Sequence, residues 1–242
     1  MVKPYVLIAA AGKGQRSGLP YPKTLYSIQG KPILVRIHNL LSDVDAQPTI
    51  IVSPSGYEPV STCLSQNKLS AHLVVQPEAL GMGDAVLRFK DSPVFYDAEH
   101  IVLMWGDIPF IQRNTVIAMI NTHYEQGNDF TFVTRYVDKA YTVVTRDKQG
   151  CVTGVIETRE DGVNVTKPGE RDIGLFIFRK QPVFDVIQQE LPGKRGKTTG
   201  EHGFLYIIQY IVERGYRVQG LPIATEMDII SLNTLKDIEG FK

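Results

Sequence analysis

The sequence predicts an α/β fold in which an open, mostly parallel sheet carries helices on both faces, with additional mixed strands in its second half. Two observations from the first half predict this fold. Apolar runs of strand length recur there, and segments with helical spacing separate these runs. The third observation is a change of pattern after Gly127, where strand-like segments follow one another with few helices between them. Alternating strands and helices build a parallel sheet, so the predicted architecture is Rossmann-like.

The first half alternates in order between the two kinds of segment. The run at 5–10 is continuously apolar, which is typical of a strand that is buried on both faces. Further strands are predicted at 49–53, 72–76 and 101–105. Helices are predicted at 32–41, 57–66, 83–89 and 114–124.

The second half is richer in strands. Residues 147–150 read Asp-Lys-Gln-Gly, a sequence that favours a hairpin turn. Strands are predicted at 130–134, 142–146, 152–157, 173–178 and 216–220. Helices are predicted at 182–190, 204–214 and 235–241. An open sheet of this kind binds ligands at the carboxyl ends of its strands, which is where the polar motifs of this chain fall.

Composition narrows the class of partner. The chain has 242 residues, and Lys plus Arg equal Asp plus Glu at 26 each, so no excess of positive charge predicts binding to nucleic acid. The two cysteines, Cys63 and Cys151, lack metal-ligand spacing and suit a reducing compartment. No apolar run approaches the roughly 20 residues that span a bilayer. We therefore expect a cytoplasmic protein with no membrane partner; its oligomeric state is left open.

The turn after the first strand has the character of a phosphate site. Gly12 and Gly14 let backbone amides approach an anion, and Arg16 and Lys23 add two positive charges nearby. The dinucleotide fingerprint fits this turn poorly, because its third glycine position is Ser17. A plain glycine-rich turn with solvated basic residues is the structural alternative.

Two later strand ends carry side chains suited to a nucleotide. Gln76 offers an amide that both donates and accepts hydrogen bonds, as a base edge requires, and Gly81 leaves room for a flat ring. Asp107 follows a buried strand, and a carboxylate at that position is a natural Mg²⁺ ligand. The structural alternative for Gln76 and Gly81 is a loop with a helix cap. The structural alternative for Asp107 is a helix cap or a turn cap.

Five segments resemble, in order along the chain, the sugar-phosphate nucleotidyltransferases of GT-A-like fold. This fold is also called nucleotide-diphospho-sugar transferase-like. The likeness is greatest to the uridylyltransferase domain of the N-acetylglucosamine-1-phosphate uridylyltransferases. The segments are AAAGKGQRSGLPYPKTL at 9–25, QPEALGMGDAV at 76–86, VLMWGDIPF at 102–110, VTGVIETRED at 152–161 and GEHGFLYIIQYIVERG at 200–215.

The resemblance implies an enzyme that transfers a nucleoside monophosphate from an NTP, with UTP or CTP favoured, to a sugar 1-phosphate or a similar phosphorylated acceptor. Pyrophosphate would be released and Mg²⁺ would be the cofactor. One nucleotidyltransferase domain would cover 1–242, with its nucleotide-binding half at about 1–126 and its acceptor-binding half at about 127–242.

The resemblance also assigns roles to residues. The catalytic cations would be Arg16 and Lys23. The nucleotide would contact Ala10, Ala11, Gly12, Gly14, Gln76 and Gly81. The metal would be held by Asp107 and Asn233, with Asp228 as the alternative to the latter. The acceptor would contact Tyr141, Glu157 and Asp172.

Three departures from the family pattern bear on specificity. Met82 stands where the family has Thr, Thr142 follows Tyr141 where the family has Gly, and Asp172 stands in place of Asn. The last two fall on the acceptor pocket, so N-acetylglucosamine is not carried over as the substrate. Alcohol phosphates, choline-type phosphates and a molybdenum cofactor remain open as acceptors. A non-catalytic nucleotide sensor is the rival from another class. The basic segment at 193–197 either closes over an acceptor or is a solvated loop.

Overall fold

The computed structural model describes residues 3–12, 17–158, 167–190, 195–198 and 200–241. Its strands are β1 (Tyr5–Ala9), β2 (Ser27–Ile28), β3 (Lys31–Pro32), β4 (Thr49–Val52), β5 (His72–Val75), β6 (His100–Trp105), β7 (Phe130–Ala140), β8 (Thr142–Arg146), β9 (Val152–Glu157), β10 (Lys167–Arg179) and β11 (Val218–Leu221). Its α-helices are α1 (Ile33–Leu41), α2 (Tyr57–Gln66), α3 (Met82–Leu87), α4 (Arg113–Glu125), α5 (Lys180–Glu190) and α6 (Ile207–Glu213). Short 3-10 helices cover Lys23–Leu25, Pro54–Gly56, Arg88–Asp91 and Leu235–Phe241.

Seven strands form the central sheet, in the order β11-β7-β10-β6-β1-β4-β5. All neighbours in it are parallel except β10, which runs antiparallel to both β6 and β7. The predicted mostly parallel sheet with mixed strands in the second half is therefore confirmed. The β8–β9 hairpin forms a separate two-stranded sheet, as does the β2–β3 hairpin, which the sequence analysis did not predict.

Helices cover both faces of the sheet because its strands are apolar on both sides. On β1, Val6 and Ile8 pack on the face covered by α1, α2 and α4. Leu7 and Ala9 of the same strand pack on the face covered by α3, α5 and α6. None of the helices in the described part of the chain is long and apolar enough to cross a membrane.

The carboxyl ends of β1, β4, β5 and β6 lie at one edge of the sheet, because these four strands are parallel. Each runs into a polar or glycine-bearing loop there: Gly12 after β1, Ser53 after β4, Gln76 after β5 and Asp107 after β6. The topology thus gathers at one edge four loops that lie far apart in the chain.

Candidate active site

Lys23 and Asp107 form an ion pair at this edge. Lys23 begins a 3-10 helix after Pro22, and Asp107 lies two residues beyond the end of β6. The ammonium Nζ of Lys23 donates to the carboxylate Oδ2 of Asp107 and also to the carbonyl oxygen of Leu232, at 3.4 Å. The two side chains are only 20% and 14% exposed, so solvent screens the pair little.

Backbone contacts fix the position of Asp107. The amide of Gly106 donates to the carbonyl of Ala9 at 2.9 Å, and the amide of Leu232 donates to the carbonyl of Asp107 at 2.8 Å. A Cβ on Gly106 would lie 2.9 Å from that Ala9 oxygen, so only glycine lets the ends of β1 and β6 approach this closely. Ala10, Gly12 and Trp105 line the same small cavity as Lys23 and Asp107.

Within the described part of the chain, one carboxylate oxygen in this cavity is unpaired. Oδ1 of Asp107 is buried and has no hydrogen-bond partner among the residues that the structure describes. A buried carboxylate oxygen without a partner is costly, and a hard cation is a partner that it would accept. Within the described ranges no three His, Cys, Asp or Glu side chains cluster as metal ligands. Oδ1 of Asp107 offers one carboxylate ligand, which fits a cation such as Mg²⁺, because Mg²⁺ is commonly bound by one or two carboxylates and the substrate phosphates.

The two candidates for a second metal ligand have different surroundings. Asp228 is fully buried, and its carboxylate accepts hydrogen bonds from the amide of Gln112 (2.6 Å), the hydroxyl of Thr115 (3.0 Å) and the amide of Thr225 (2.7 Å). Three donors thus share its two oxygens at the start of α4, which argues against Asp228 as a metal ligand. Asn233 directly follows Leu232, whose backbone contacts both Lys23 and Asp107.

A larger cleft of about 720 Å³ adjoins the small cavity through Gly12, which lines both. Its walls come from the loops after β1, β4 and β5. They include Ala11, Gly12, Pro22, Ser53, Ser55, Gln76, Pro77 and Glu78. Of the predicted nucleotide contacts, Ala11, Gly12 and Gln76 line this cleft and Ala10 lines the small cavity. Gly14 and Arg16 lie outside the described residues, as do the first two residues of the basic segment at 193–197.

Gly81 lies against a segment that the sequence analysis did not connect with it. The amide of His202 donates to the carbonyl of Leu80 at 2.5 Å, and the amide of Gly83 donates to the carbonyl of His202 at 2.8 Å. Gly81 has φ +109°, and a Cβ there would lie 2.6 Å from the backbone nitrogen of His202. Glycine is therefore required twice over, by conformation and by space. A Cβ on Gly203 would lie 3.4 Å from Oε1 of Glu157, so the same segment also reaches the predicted acceptor side.

Tyr141, which the sequence analysis predicts to contact the acceptor, is paired with Arg171. Nη2 of Arg171 donates to the hydroxyl of Tyr141 at 2.6 Å, and its guanidinium lies 4.2 Å from the centre of the ring. The pKa of Tyr141 is raised to about 12, chiefly by loss of solvent around the hydroxyl; Arg171 lowers the pKa, and the charges of Asp172 and Asp107 contribute to raising it. Arg171 was not predicted, because an arginine on a strand carries no motif.

The position of Asp172 differs from the one expected of a residue that contacts the acceptor. It is 1% exposed, and its carboxylate accepts from the hydroxyl of Thr142 (2.6 Å) and the amide of Gly174 (3.1 Å). Burial raises the pKa of this carboxyl above its ordinary value. The side chain joins β8 to β10 in the interior, so the structure argues against direct contact with an acceptor.

The chain belongs to the MobA-like NTP transferase domain family, whose family model matches residues 6–196. Its class is accordingly that of a nucleotidyltransferase domain, as the resemblance of its five segments predicted. Among curated proteins, the bifunctional protein GlmU of Heliobacterium modesticaldum is 27% identical over 236 residues, which are 97% of this chain and 50% of that protein. GlmU of Buchnera aphidicola is 32% identical over 174 residues, or 71% of this chain and 36% of that protein.

The chain thus spans about half the length of the first of these relatives. Solved structures that share its fold include two nucleotidyltransferases. A candidate glucose-1-phosphate thymidylyltransferase from Bacillus anthracis, in complex with a sucrose, has a TM-score of 0.77 at 18% identity and covers 98% of this chain and 92% of its own. The inositol-1-phosphate CTP transferase from T. maritima has a TM-score of 0.70 at 15% identity and covers 91% and 86%.

Proposed function

We propose that this chain transfers a nucleoside monophosphate from a nucleoside triphosphate to a phosphorylated polyol, a sugar 1-phosphate first of all, with Mg²⁺ and release of pyrophosphate. The observation that carries the proposal is the Lys23–Asp107 pair, which lies in a cavity adjoining the 720 Å³ cleft. A cation and a carboxylate beside a cleft of nucleotide size suit chemistry on the phosphates of a bound NTP.

The proposed reaction needs no general base, because the phosphate of the acceptor is already an anion at neutral pH. An oxygen of that phosphate forms a bond to the α-phosphorus of the NTP, and the bond from the α-phosphorus to the oxygen that bridges to the β-phosphorus breaks. Repulsion between the two anions and the charge on departing pyrophosphate are the barrier. When bound, Mg²⁺ supplies charge neutralisation.

The residues of the chain divide this task among them. The ammonium of Lys23 lies at the carboxylate of Asp107, where it can stabilise the negative charge of a phosphate group. Asp107 can serve Lys23 and a cation together, because Oδ2 meets Lys23 while Oδ1 is free of partners among the described residues. Asn233, which follows Leu232 in the chain, is the residue proposed to add an amide oxygen to the same cation. Arg16, by the family resemblance, adds a second cation.

The identity of the acceptor rests on the relatives. The two structural neighbours are named for glucose 1-phosphate and inositol 1-phosphate, both of which are phosphates of cyclic polyols. Glu157 and Tyr141 are the side chains proposed to meet the hydroxyl groups of such an acceptor. The names of the two neighbours also indicate different nucleotides, dTTP and CTP, so the base is tested separately.

The test is pyrophosphate release by the purified chain. Each of UTP, CTP, dTTP, ATP and GTP is combined with N-acetylglucosamine 1-phosphate, glucose 1-phosphate, inositol 1-phosphate and choline phosphate, with Mg²⁺ or with EDTA. Release that depends on both an NTP and one of these acceptors, and that stops in EDTA, is the expected result. Tight NTP binding without release in any combination would replace the proposal with a non-catalytic nucleotide sensor.

A further inference from the structure

The side-chain amide of Gln76 is held in one orientation. Its Nε2 donates to the carbonyl oxygen of Gly81 at 3.0 Å and to the carboxylate Oδ2 of Asp84 at 2.9 Å. A primary amide nitrogen carries two hydrogens and no acceptor, so both of its donors are committed. Turning the amide over would place Oε1 against two oxygens, which repel it.

Asp84 is itself held in place. It lies in the first turn of α3 and is 8% exposed. Arg88 donates two hydrogen bonds to it, from Nη2 to Oδ1 at 3.1 Å and from Nε to Oδ2 at 3.4 Å. Arg88 carries only donors, so Asp84 must present oxygens both to Arg88 and to Gln76. The ion pair is partly exposed, and its contribution here is orientation rather than stability.

This arrangement leaves the carbonyl oxygen Oε1 as the one polar atom that the side chain of Gln76 can offer to a ligand. Gln76 lines the 720 Å³ cleft and is 4% exposed, so a base beside it meets an acceptor in a largely dry position. Uracil and cytosine are opposite at two neighbouring positions. Uracil has a donor at N3 and an acceptor at position 4, whereas cytosine has an acceptor at N3 and a donor at position 4.

A fixed acceptor therefore distinguishes the two pyrimidines whichever of these positions faces it. A freely turning amide would satisfy both, because it can present either oxygen or nitrogen. We propose that Asp84, supported by Arg88, is a positioning residue that makes the base pocket selective by holding the Gln76 amide with its oxygen available to the base. This inference rests on the proposed function only in taking an NTP as the ligand.

Equilibrium binding tests the inference independently of catalysis. Dissociation constants for Mg·UTP and Mg·CTP are measured by titration calorimetry on the wild type and on Asp84→Asn, Arg88→Met and Asp91→Asn. In Asp84→Asn the new side chain has a single oxygen for the donors of both Arg88 and Gln76, so the amide of Gln76 is held less firmly, by the carbonyl of Gly81 alone when Arg88 takes that oxygen. Asp91→Asn is the matched control, because Asp91 is exposed and lies at the end of the 3-10 helix that Arg88 begins.

We expect the wild type to prefer one of the two nucleotides by roughly 10- to 100-fold, the usual penalty for leaving a buried polar group unpaired. Asp84→Asn should reduce this ratio about fivefold or more, Arg88→Met should reduce it by less, and Asp91→Asn should leave it unchanged. Thermal unfolding checks that each variant is folded; if Asp84→Asn is not, Arg88→Met carries the test.

The outcomes separate the two proposals. Equal affinity of the wild type for UTP and CTP would overturn the inference, and so would an unchanged ratio in both Asp84→Asn and Arg88→Met. A third outcome is that Asp84→Asn relaxes selective binding but the protein releases no pyrophosphate with any acceptor. This outcome would support the inference and contradict the proposed function.

Discussion

The backbone amide of Leu232 donates a hydrogen bond of 2.8 Å to the carbonyl oxygen of Asp107. This single contact joins the C-terminal segment to the end of β6, across more than 120 positions of sequence. It brings the residue after Leu232, Asn233, to the loop that carries the carboxylate proposed to hold the metal. The C-terminal segment is therefore part of the candidate site.

Lys23→Ala should lower kcat by roughly 100- to 1000-fold with little effect on folding, because it removes the charge proposed to act on the phosphates as they react. Turnover is measured as pyrophosphate release with the best substrate pair. Lys148→Ala is the control, since Lys148 is exposed in the turn between β8 and β9. A Lys23→Ala enzyme with normal turnover would remove Lys23 from the mechanism.

Asn233→Ala should raise the Mg²⁺ concentration that gives half-maximal activity, because the cation loses one oxygen ligand. Asp228→Asn should instead leave that concentration unchanged and lower the free energy of unfolding by about 3 kcal/mol, because a buried carboxylate that accepts three hydrogen bonds loses an acceptor. Activity against Mg²⁺ and urea unfolding are measured on both variants. The reverse pattern would make Asp228 the ligand.

Gly81→Ala should destabilise the chain and raise the KM for the NTP, because its Cβ would collide with the backbone of His202. Gly150→Ala separates the collision from the conformational cost. Gly150 also has positive φ, at +84°, but nothing lies within 4 Å of its Cβ position, so we expect a loss of about 1 kcal/mol and no change in KM. Equal effects of the two substitutions on KM would contradict the role given to the Gly81–His202 contact.

Stability should fall in mild acid because of a buried histidine pair outside the site. Nδ1 of His100 and Nε2 of His123 lie 3.0 Å apart, and burial lowers the pKa of His123 from 6.5 to about 4, with His100 adding to the shift. The folded state therefore binds this proton less readily than the unfolded chain. Its contribution is fully present above pH 6.5 and is lost as the pH falls toward 4, by at most about 1.4 kcal/mol per pH unit.

Urea midpoints measured between pH 7.5 and 4.5 check this expectation. His123→Gln should flatten the dependence on pH, because the group that must be protonated is gone. His72→Gln, at a half-buried histidine of β5, should leave the slope as in the wild type. An identical slope in all three proteins would show that other groups control the acid sensitivity.

Much of the fold was predictable because hydrophobic period is a local property. The runs at 5–10 and 101–105 became β1 and β6, since a continuously apolar segment is stable only between two layers of helices. Strand ends were less predictable. Strand β10 covers Lys167–Arg179 rather than 173–178, because pairing with β7 extends it through residues whose pattern is polar.

The residues of the candidate site also differ in how far the sequence predicted them. Lys23, Gln76 and Asp107 were predicted because each follows a turn or strand end that marks its position in the sequence. Asp172 was predicted as an acceptor contact, but it lies in the interior beside an irregularity in the pairing of β10 with β7. Such an irregularity changes which face a side chain takes and leaves no clear mark in the sequence.

By itself, the amino-acid sequence determined the order of strands and helices in and around the central sheet, the loops at the ends of its strands and the kinds of side chain that those loops carry. All of these follow from residues within a few positions of one another. Only the tertiary structure decided that Asp84 and Gly81 together hold the amide of Gln76. It alone decided that the backbone of His202 lies against Gly81 and that Asp228 accepts hydrogen bonds from the start of α4. The physical reason is that hydrogen-bond partners are set by distance in space. Leu80 and Gly83 bond to His202, and Gln112 and Thr115 bond to Asp228, each from more than 100 positions away.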